Sequence, residues 1–447
     1  MIRSGVSVVG TIVARVPDWA IVAVFSALIV AETATSVAGK SLTIDEPPHL
    51  VSGYLRLTAG EPLVQTEHNP PLIKMMAALP LLAMDVKLPP RPKRQDLRSR
   101  LQFAHDFLYR WNDADRLALA GRLAVLPLTL LLGAFVFLWA RELFGRAAAT
   151  FSLFLYSLEP NILAHGPLMN TDLGVSCLLF VTMYFLSRAM EGVTLLLVAG
   201  AGLAYGAAMV TKYTAVWAVP WFVLLGVVAV AAERPLTVRL PGRAPVTATT
   251  WIRKSLVLVG VLLAVAALAY LVIWGVYRSW FEGGTVPGYG YPGSAEDSRP
   301  GQSVTAPLIR WARDWRLLPA AYLDGLSAAG GDLRRWAFLM GEVSTDGWVH
   351  YFVVTMLLKT PLPLLIFLGL TPLSLRALWE KAPLKLLALV APPVLYVGLA
   401  SVGRMNIGHR HLLPIHPFLF VLAGSLVPWG LRQRRVVRGA MAGLAVW

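Results

Sequence analysis

The chain is short of charge and nearly devoid of cysteine. Only 15% of its 447 residues are charged, whereas 56% are hydrophobic; ordinary soluble domains carry about a quarter charged residues. That shortage excludes a fold with a solvated surface all round, and the many Leu, Val and Ala residues exclude disorder. One cysteine, Cys177, rules out an intramolecular disulfide and a cysteine-based metal cluster. The sequence has no P-loop and no Gly-x-Gly-x-x-Gly after a strand, so no nucleotide site is expected. Internal repeats and low-complexity tracts are also missing. Acidic residues are few, 25 against 40 Lys and Arg, which leaves a net charge of +15. Basic cytoplasmic loops of a membrane protein explain that excess, and no nucleic-acid partner is expected.

Long apolar runs are what the chain has in quantity. Runs of about 20 residues, enough to cross a bilayer, fall near 18–38, 117–140, 147–163, 172–187, 193–210, 213–231, 255–276, 351–374, 384–401 and 412–430. A last run starts near 437. They predict an all-α, polytopic membrane protein of about 11 spans, its first run a retained helix rather than a signal peptide. With the N-terminus cytoplasmic, the segments 1–18, 141–146, 188–192, 232–254, 375–385 and 431–438 carry a net +12. The two long segments on the other side, 40–116 and 277–350, carry only +2 and −1. The positive-inside rule supports that orientation, despite Arg91, Lys93, Arg94, Arg98 and Arg100 on the outer side, because long loops cross largely regardless of charge. The expected setting is a bacterial cytoplasmic membrane with both long loops periplasmic or extracellular. Residues 70–84 are apolar but too short to span and read as an interfacial or re-entrant helix. The Gly/Pro/Tyr stretch 283–302 reads as a loop.

Chemistry-bearing residues gather at the outer ends of these runs. Asp45 and Glu46 leave the first span together in SLTIDEPPHL. Asp45 before two prolines reads as a helix cap, and equally as a carboxylate able to take a proton from an attacking hydroxyl. Glu67, His68, Asn69 and Lys74 follow in EHNPPLIKMM, where Asn-Pro-Pro forces an extended entry into a short helix. Thr171–Asp172 opens the fourth span, with His165 in the same outer turn; it reads as a cap or as a boundary carboxylate with a function. Lys212 interrupts nearly forty apolar residues and suits either snorkelling or a fixed cation for phosphate. His409, Arg410 and His411 precede the tenth run, where an arginine could grip phosphate oxygens bidentately. His409, His411 and His416 match no zinc-ligand spacing, so neither a metal nor any other cofactor is called for, although a divalent cation is compatible. A transporter would place its ionisable groups at mid-membrane in broken helices. Carboxylates and cations at one interface suit an enzyme acting on a lipid-anchored phosphate.

Six stretches, in order from about residue 44 to 424, carry a family resemblance: IDEPPHLVSGYLRLTAGEPL, EHNPPLIKMMAALPLL, AHGPLMNTDLG, GLAYGAAMVTKYTAVWAVP, LMGEVSTDGWVHYFVVTMLLKTPLPLL and IGHRHLLPIHPFLFVLAG. The chain resembles the GT-C type polyprenyl-phosphate-dependent glycosyltransferases, most of all the bacterial family 39 group related to protein O-mannosyltransferases and the lipid A aminoarabinose transferase. The resemblance implies one transmembrane domain over 1–447, with an outer-face cavity roofed by juxtamembrane helices and with 40–116 and 277–350 as its outer loops. It implies Asp45 as catalytic carboxylate, with Glu46 beside it and Asp172 as a second acid. Lys212, Arg410 and Lys74 would hold the donor phosphate, and His49, His68, Asn69, His165, His409 and His411 would line the cavity. Relatives of this group continue with further helices and an outer module, so a truncated C-terminal region is expected. The implied reaction moves a sugar, mannose-like, from polyprenyl phosphate to a protein, glycan or lipid hydroxyl with inversion. An oligosaccharyltransferase would show a WWDYG-like motif; the nearest string, Gly347-Trp348-Val349-His350-Tyr351, lacks the acid. A carrier or flippase of lipid-linked sugars is the alternative from another class.

Overall fold

The computed structural model describes residues 16–37, 39–59, 69–90, 97–277, 306–330, 336–403 and 406–446. Glu67, His68, Arg91, Lys93, Arg94 and the stretch 283–302 lie outside them. The elements in order are α1 (Asp18–Val37), α2 (Glu46–Ala59), α3 (Leu72–Ala78) running into a 3-10 turn (Leu79–Ala83), α4 (Leu97–Tyr109), α5 (Ala114–Phe144), α6 (Arg146–Ser157), α7 (Pro160–His165), α8 (Thr171–Ala189), β1 (Gly192–Thr194) and α9 (Leu195–Met209). A 3-10 turn (Tyr213–Ala218) leads into α10 (Val219–Ala231), then β2 (Leu236–Arg239), β3 (Val246–Ala248), α11 (Trp251–Tyr277), α12 (Ala306–Asp314), α13 (Ala320–Gly330), β4 (Ala337–Leu339) and β5 (Glu342–Ser344). The chain finishes with α14 (Tyr351–Lys359), α15 (Leu362–Leu370), α16 (Pro372–Lys381), α17 (Pro383–Val402), a 3-10 turn (His409–Ile415), α18 (His416–Gly424), α19 (Leu426–Gly430) and α20 (Arg435–Val446).

The protein is helical and polytopic, as its apolar runs predict. Among the described residues seven helical stretches are long and apolar enough to cross, and eight if the pair Tyr351–Lys359 and Leu362–Arg376 is one span bent by 111°. Pro361 and Pro363 explain that bend, since proline removes a helical donor and disfavours helix in the residue before it. The run 147–163 divides into the 12 residues of α6 and the short α7, because Glu159 recaps the chain ahead of Pro160. The runs at 193–210 and from 437 form helices of 15 and 12 residues. Short strands also enter the predicted all-α chain: β2 pairs parallel with β1 and antiparallel with β3, and β4 and β5 form a hairpin.

These strands and the ion pairs sort the loops to two ends. The β1–β2 pairing brings segments 188–192 and 232–254 together. Asp18 pairs with Arg141 and Arg146, Glu142 with Arg188 and Lys385, and Lys385 with Glu191. The loops expected to share the cytoplasmic side therefore converge. At the other end of α5, Arg122 meets the segment 37–46. The 19 steps from Arg122 to Arg141 rise about 28 Å in a helix, close to a bilayer's hydrocarbon thickness.

A second hydrophobic core roofs that end. Leu50, Val51 and Leu55 of α2, Ile73 and Ala77 of α3, and Phe103, Phe107 and Leu108 of α4 bury one another against Leu117 and Val125 of α5. Gly53 makes the α2–α3 crossing possible, because a Cβ there would lie 1.9 Å from the Lys74 carbonyl oxygen. Residues 70–84, expected as a short interfacial helix, form α3 and its 3-10 turn as part of this roof.

Candidate active site

Four segments meet beneath the roof. The turn before α2 brings Asp45, and the start of α8 brings Asp172. The break after α9 brings Lys212, and the turn before α18 brings His409, Arg410 and His411. Each break has a local cause. Thr43-Ile44-Asp45-Glu46 has the spacing of a capping box, and Glu46 reaches back to accept from the Thr43 N–H at 2.8 Å. Asn170, not Thr171 or Asp172, caps α8 by accepting from the Asp172 N–H. Gly408 has φ +134°, a backbone state side chains resist, and turns the chain into His409–Arg410. Leu72 donates to the Val210 carbonyl at 3.0 Å, fixing the start of α3 to the end of α9 beside Lys212.

The two aspartates take cations. Arg410 donates through Nη1 to Asp45 Oδ2 at 2.6 Å, across 365 residues of sequence. Lys212 bonds Asp172 Oδ1 through Nζ. The pairs differ in access: the Arg410 and Asp45 side chains are 32% and 39% exposed, those of Lys212 and Asp172 only 11% and 6%. Asp172 also feels Arg410 and His411 electrostatically, so the two pairs form one charge cluster. His165 lies within electrostatic reach of Asp172, Arg410 and Glu159. Burial holds its imidazole below the usual histidine range, only partly offset by Asp172, which keeps it neutral near pH 7.

Glu46 takes no part in that cluster. It is fully buried and held bidentately by Arg122, Nε to Oε1 at 2.8 Å and Nη2 to Oε2 at 2.9 Å. Arg122 also donates to the carbonyls of Lys40 and Ser41, each at 3.0 Å. The expectation of two adjacent acids facing one cavity is thus corrected: neighbours at a helix start point different ways, and Glu46 anchors the turn that presents Asp45. Arg122 is hard to recognise from sequence because it sits within an apolar run. Its signal was a lone arginine inside a span, which needs a buried partner.

The other expected cavity residues mostly tie segments together. Lys74 is buried with Nζ on the Asn69 carbonyl at 2.8 Å, so the structure places it in the α3 entry turn. Asn69 Oδ1 accepts from the Thr171 hydroxyl at 3.4 Å, and His49 Nδ1 meets the Met169 carbonyl at 2.7 Å. His409 Nε2 lies 3.1 Å from His416 Nε2.

Comparison with known proteins bears on the fold. Residues 115–274 match the family described as dolichyl-phosphate-mannose-protein mannosyltransferase. The fold is similar to ArnT from Cupriavidus metallidurans in the apo state, with TM-score 0.56 and 15% identity over 94% of this chain and 61% of that one. It is similar to ArnT bound to undecaprenyl phosphate, with TM-score 0.54 and 15% identity over 96% and 64%. The archaeal oligosaccharyltransferase AglB from Archaeoglobus fulgidus, in complex with an inhibitory peptide and a dolichol-phosphate, matches with TM-score 0.51 and 11% identity over 95% and 51%. No curated protein sequence matches the chain. The GT-C resemblance carried by the six stretches is borne out in the fold, and the chain spans less than two thirds of the length of the ArnT structures it matches.

Proposed function

We propose that the chain is an inverting glycosyltransferase that moves a sugar from polyprenyl phosphate to an acceptor hydroxyl at the roofed end of the membrane. The observation that carries this reading is the accessible Asp45–Arg410 pair beside the buried Asp172–Lys212 pair. A donor phosphate entering the site competes with Asp45 for the Arg410 guanidinium, whose planar fork suits phosphate oxygens. That competition uncovers the Asp45 carboxylate as the phosphate arrives. Asp45 then takes the proton of the acceptor hydroxyl as its oxygen attacks the anomeric carbon. The bond from that carbon to the phosphate oxygen breaks, and its electron pair leaves with polyprenyl phosphate, held by Arg410 and the remaining donors of Lys212. Attack opposite the leaving group inverts the anomeric centre.

The bound undecaprenyl phosphate of ArnT and dolichol-phosphate of AglB, on the same fold, support a lipid-linked donor. We assign the acceptor to the protein, glycan or lipid hydroxyl class and the sugar to a mannose-like hexose or pentose. The basic loops converging at the opposite end support a bacterial cytoplasmic membrane with the site on its outer face. Glu46 is assigned to structure, with Asp45 the base. The test is transfer from a polyprenyl-phosphate-linked sugar by purified protein. Asp45→Asn should keep its shape and fold while turnover drops by at least about a hundredfold, as for a lost general base. Near-normal turnover by a folded variant would remove Asp45 from the reaction. A wild type that moves lipid-linked sugar across vesicles without forming a glycosidic bond would be a carrier instead.

A further inference from the structure

Behind Arg410 lies a buried chain of titratable groups that the proposed reaction does not use. His409 precedes Arg410 in the turn, and its Nε2 is 3.1 Å from Nε2 of His416, the first residue of α18. His416 is completely buried, and its Nδ1 faces Glu159 Oε1 at 3.7 Å. Glu159 is itself fixed: Oε2 accepts from the Ile162 N–H at 2.8 Å and Oε1 from Asn161 Nδ2 at 2.7 Å. Asn161 donates in turn to the Lys359 carbonyl at the end of α14. The chain therefore binds α7, α14 and α18 to the turn that carries Arg410.

Its polarity follows from elementary rules. Two neutral imidazoles joined through Nε2 need one donor and one acceptor. At 3.7 Å the Glu159 contact is too long for a strong hydrogen bond, yet a carboxylate still favours an N–H over a lone pair toward it. His416 is therefore the Nδ1–H tautomer, its bare Nε2 accepts, and His409 donates from Nε2. One acid at the end of the row orders two rings, and the second ring belongs to the residue next to the phosphate arginine.

We propose that His416, oriented by Glu159, is a positioning residue for Arg410, acting through His409 to hold the guanidinium where a donor phosphate meets it. The proposal rests on the glycosyltransferase reading above. Its test is direct binding of undecaprenyl phosphate to purified full-length protein in detergent, without turnover, with folding monitored by size-exclusion elution and thermal unfolding. His416→Leu keeps the volume but leaves the His409 donor unpaired, and should weaken binding about tenfold, the scale of one misplaced charge-assisted contact. His416→Gln offers an amide oxygen to the His409 donor and should recover most of that affinity, which a purely space-filling role would not require. In an Arg410→Ala background His416→Leu should add no further loss, because its route to the phosphate is gone. Wild-type affinity in folded His416→Leu overturns the positioning role and leaves the transferase reading standing. So does an equal, additive loss from His416→Leu in both backgrounds. A wild-type protein that does not bind undecaprenyl phosphate overturns both.

Discussion

The two ends of the helical body use the same residue types in opposite regimes. At the loop end, Asp18, Glu142 and Glu191 meet Arg141, Arg146, Arg188 and Lys385 with side chains 27–50% exposed. At the roofed end Glu46 and Arg122 are 0% and 3% exposed, and Asp172 and Lys212 only 6% and 11%. Water screens the first set, so each pair contributes about 0–1 kcal/mol. It is largely excluded from the second, where losing one partner strands a buried charge. The loop end can thus vary its charges freely, whereas at the roofed end Glu46 and Asp172 depend on Arg122 and Lys212. The Asp45–Arg410 pair sits at the roofed end but shares the exposure of the loop-end pairs, its side chains 39% and 32% exposed, so it is open enough to be displaced.

The difference can be broken most severely at Arg122. Arg122→Ala should destabilise the protein by about 3–5 kcal/mol, because Glu46 remains as an unpaired buried carboxylate. Thermal unfolding in detergent reads this, and Glu46→Gln in the same background should return part of the loss. Unchanged stability in Arg122→Ala would mean that water reaches this pair after all.

Lys212→Ala comes next. It strands Asp172 and, in the proposed reaction, removes a cation that would face the donor phosphate, so donor use should weaken by about 2–4 kcal/mol, read as kcat/KM. A loss confined to stability would make the Asp172–Lys212 pair a strut. Gly53→Ala asks whether close approach, rather than charge, holds the roof. Its Cβ would press on the Lys74 carbonyl oxygen, and overpacking of this kind costs about 1–3 kcal/mol. An unchanged melting temperature would show that α2 can slide on α3. At the loop end Lys385→Ala should change stability by no more than about 0.5 kcal/mol, although it meets both Glu142 and Glu191. A larger effect would erase the contrast between the ends.

Much of this was legible in the residues because apolar length and the charge of short loops are local properties. The spans beginning near Asp18, Trp251 and Pro383 stand where the runs put them. The loops grouped by charge do come together, through pairs such as Lys385 with Glu191. Less legible were the breaks. Glu159 and Pro160 divide one apolar run, and Pro361 and Pro363 bend another, and hydrophobic length alone does not place such breaks. Capping was misplaced for a related reason. Asp172 has the chemistry of a cap, but Asn170 does that work for α8, because a cap is decided by which oxygen meets the helix N–H groups.

By itself the sequence determined that this is a membrane-embedded helical protein with its carboxylates and cations gathered at the ends of spans. Those facts depend on transfer free energy along short stretches of chain, and no partner is needed to read them. Only the tertiary structure decided who holds whom. Asp45 meets Arg410 across 365 residues, Glu46 meets Arg122 across 76, and Asp172 meets Lys212 across 40. A buried charge must find a counter-charge wherever the packed helices deliver one, and that delivery is set by how α2, α5, α8 and the turn before α18 cross in space.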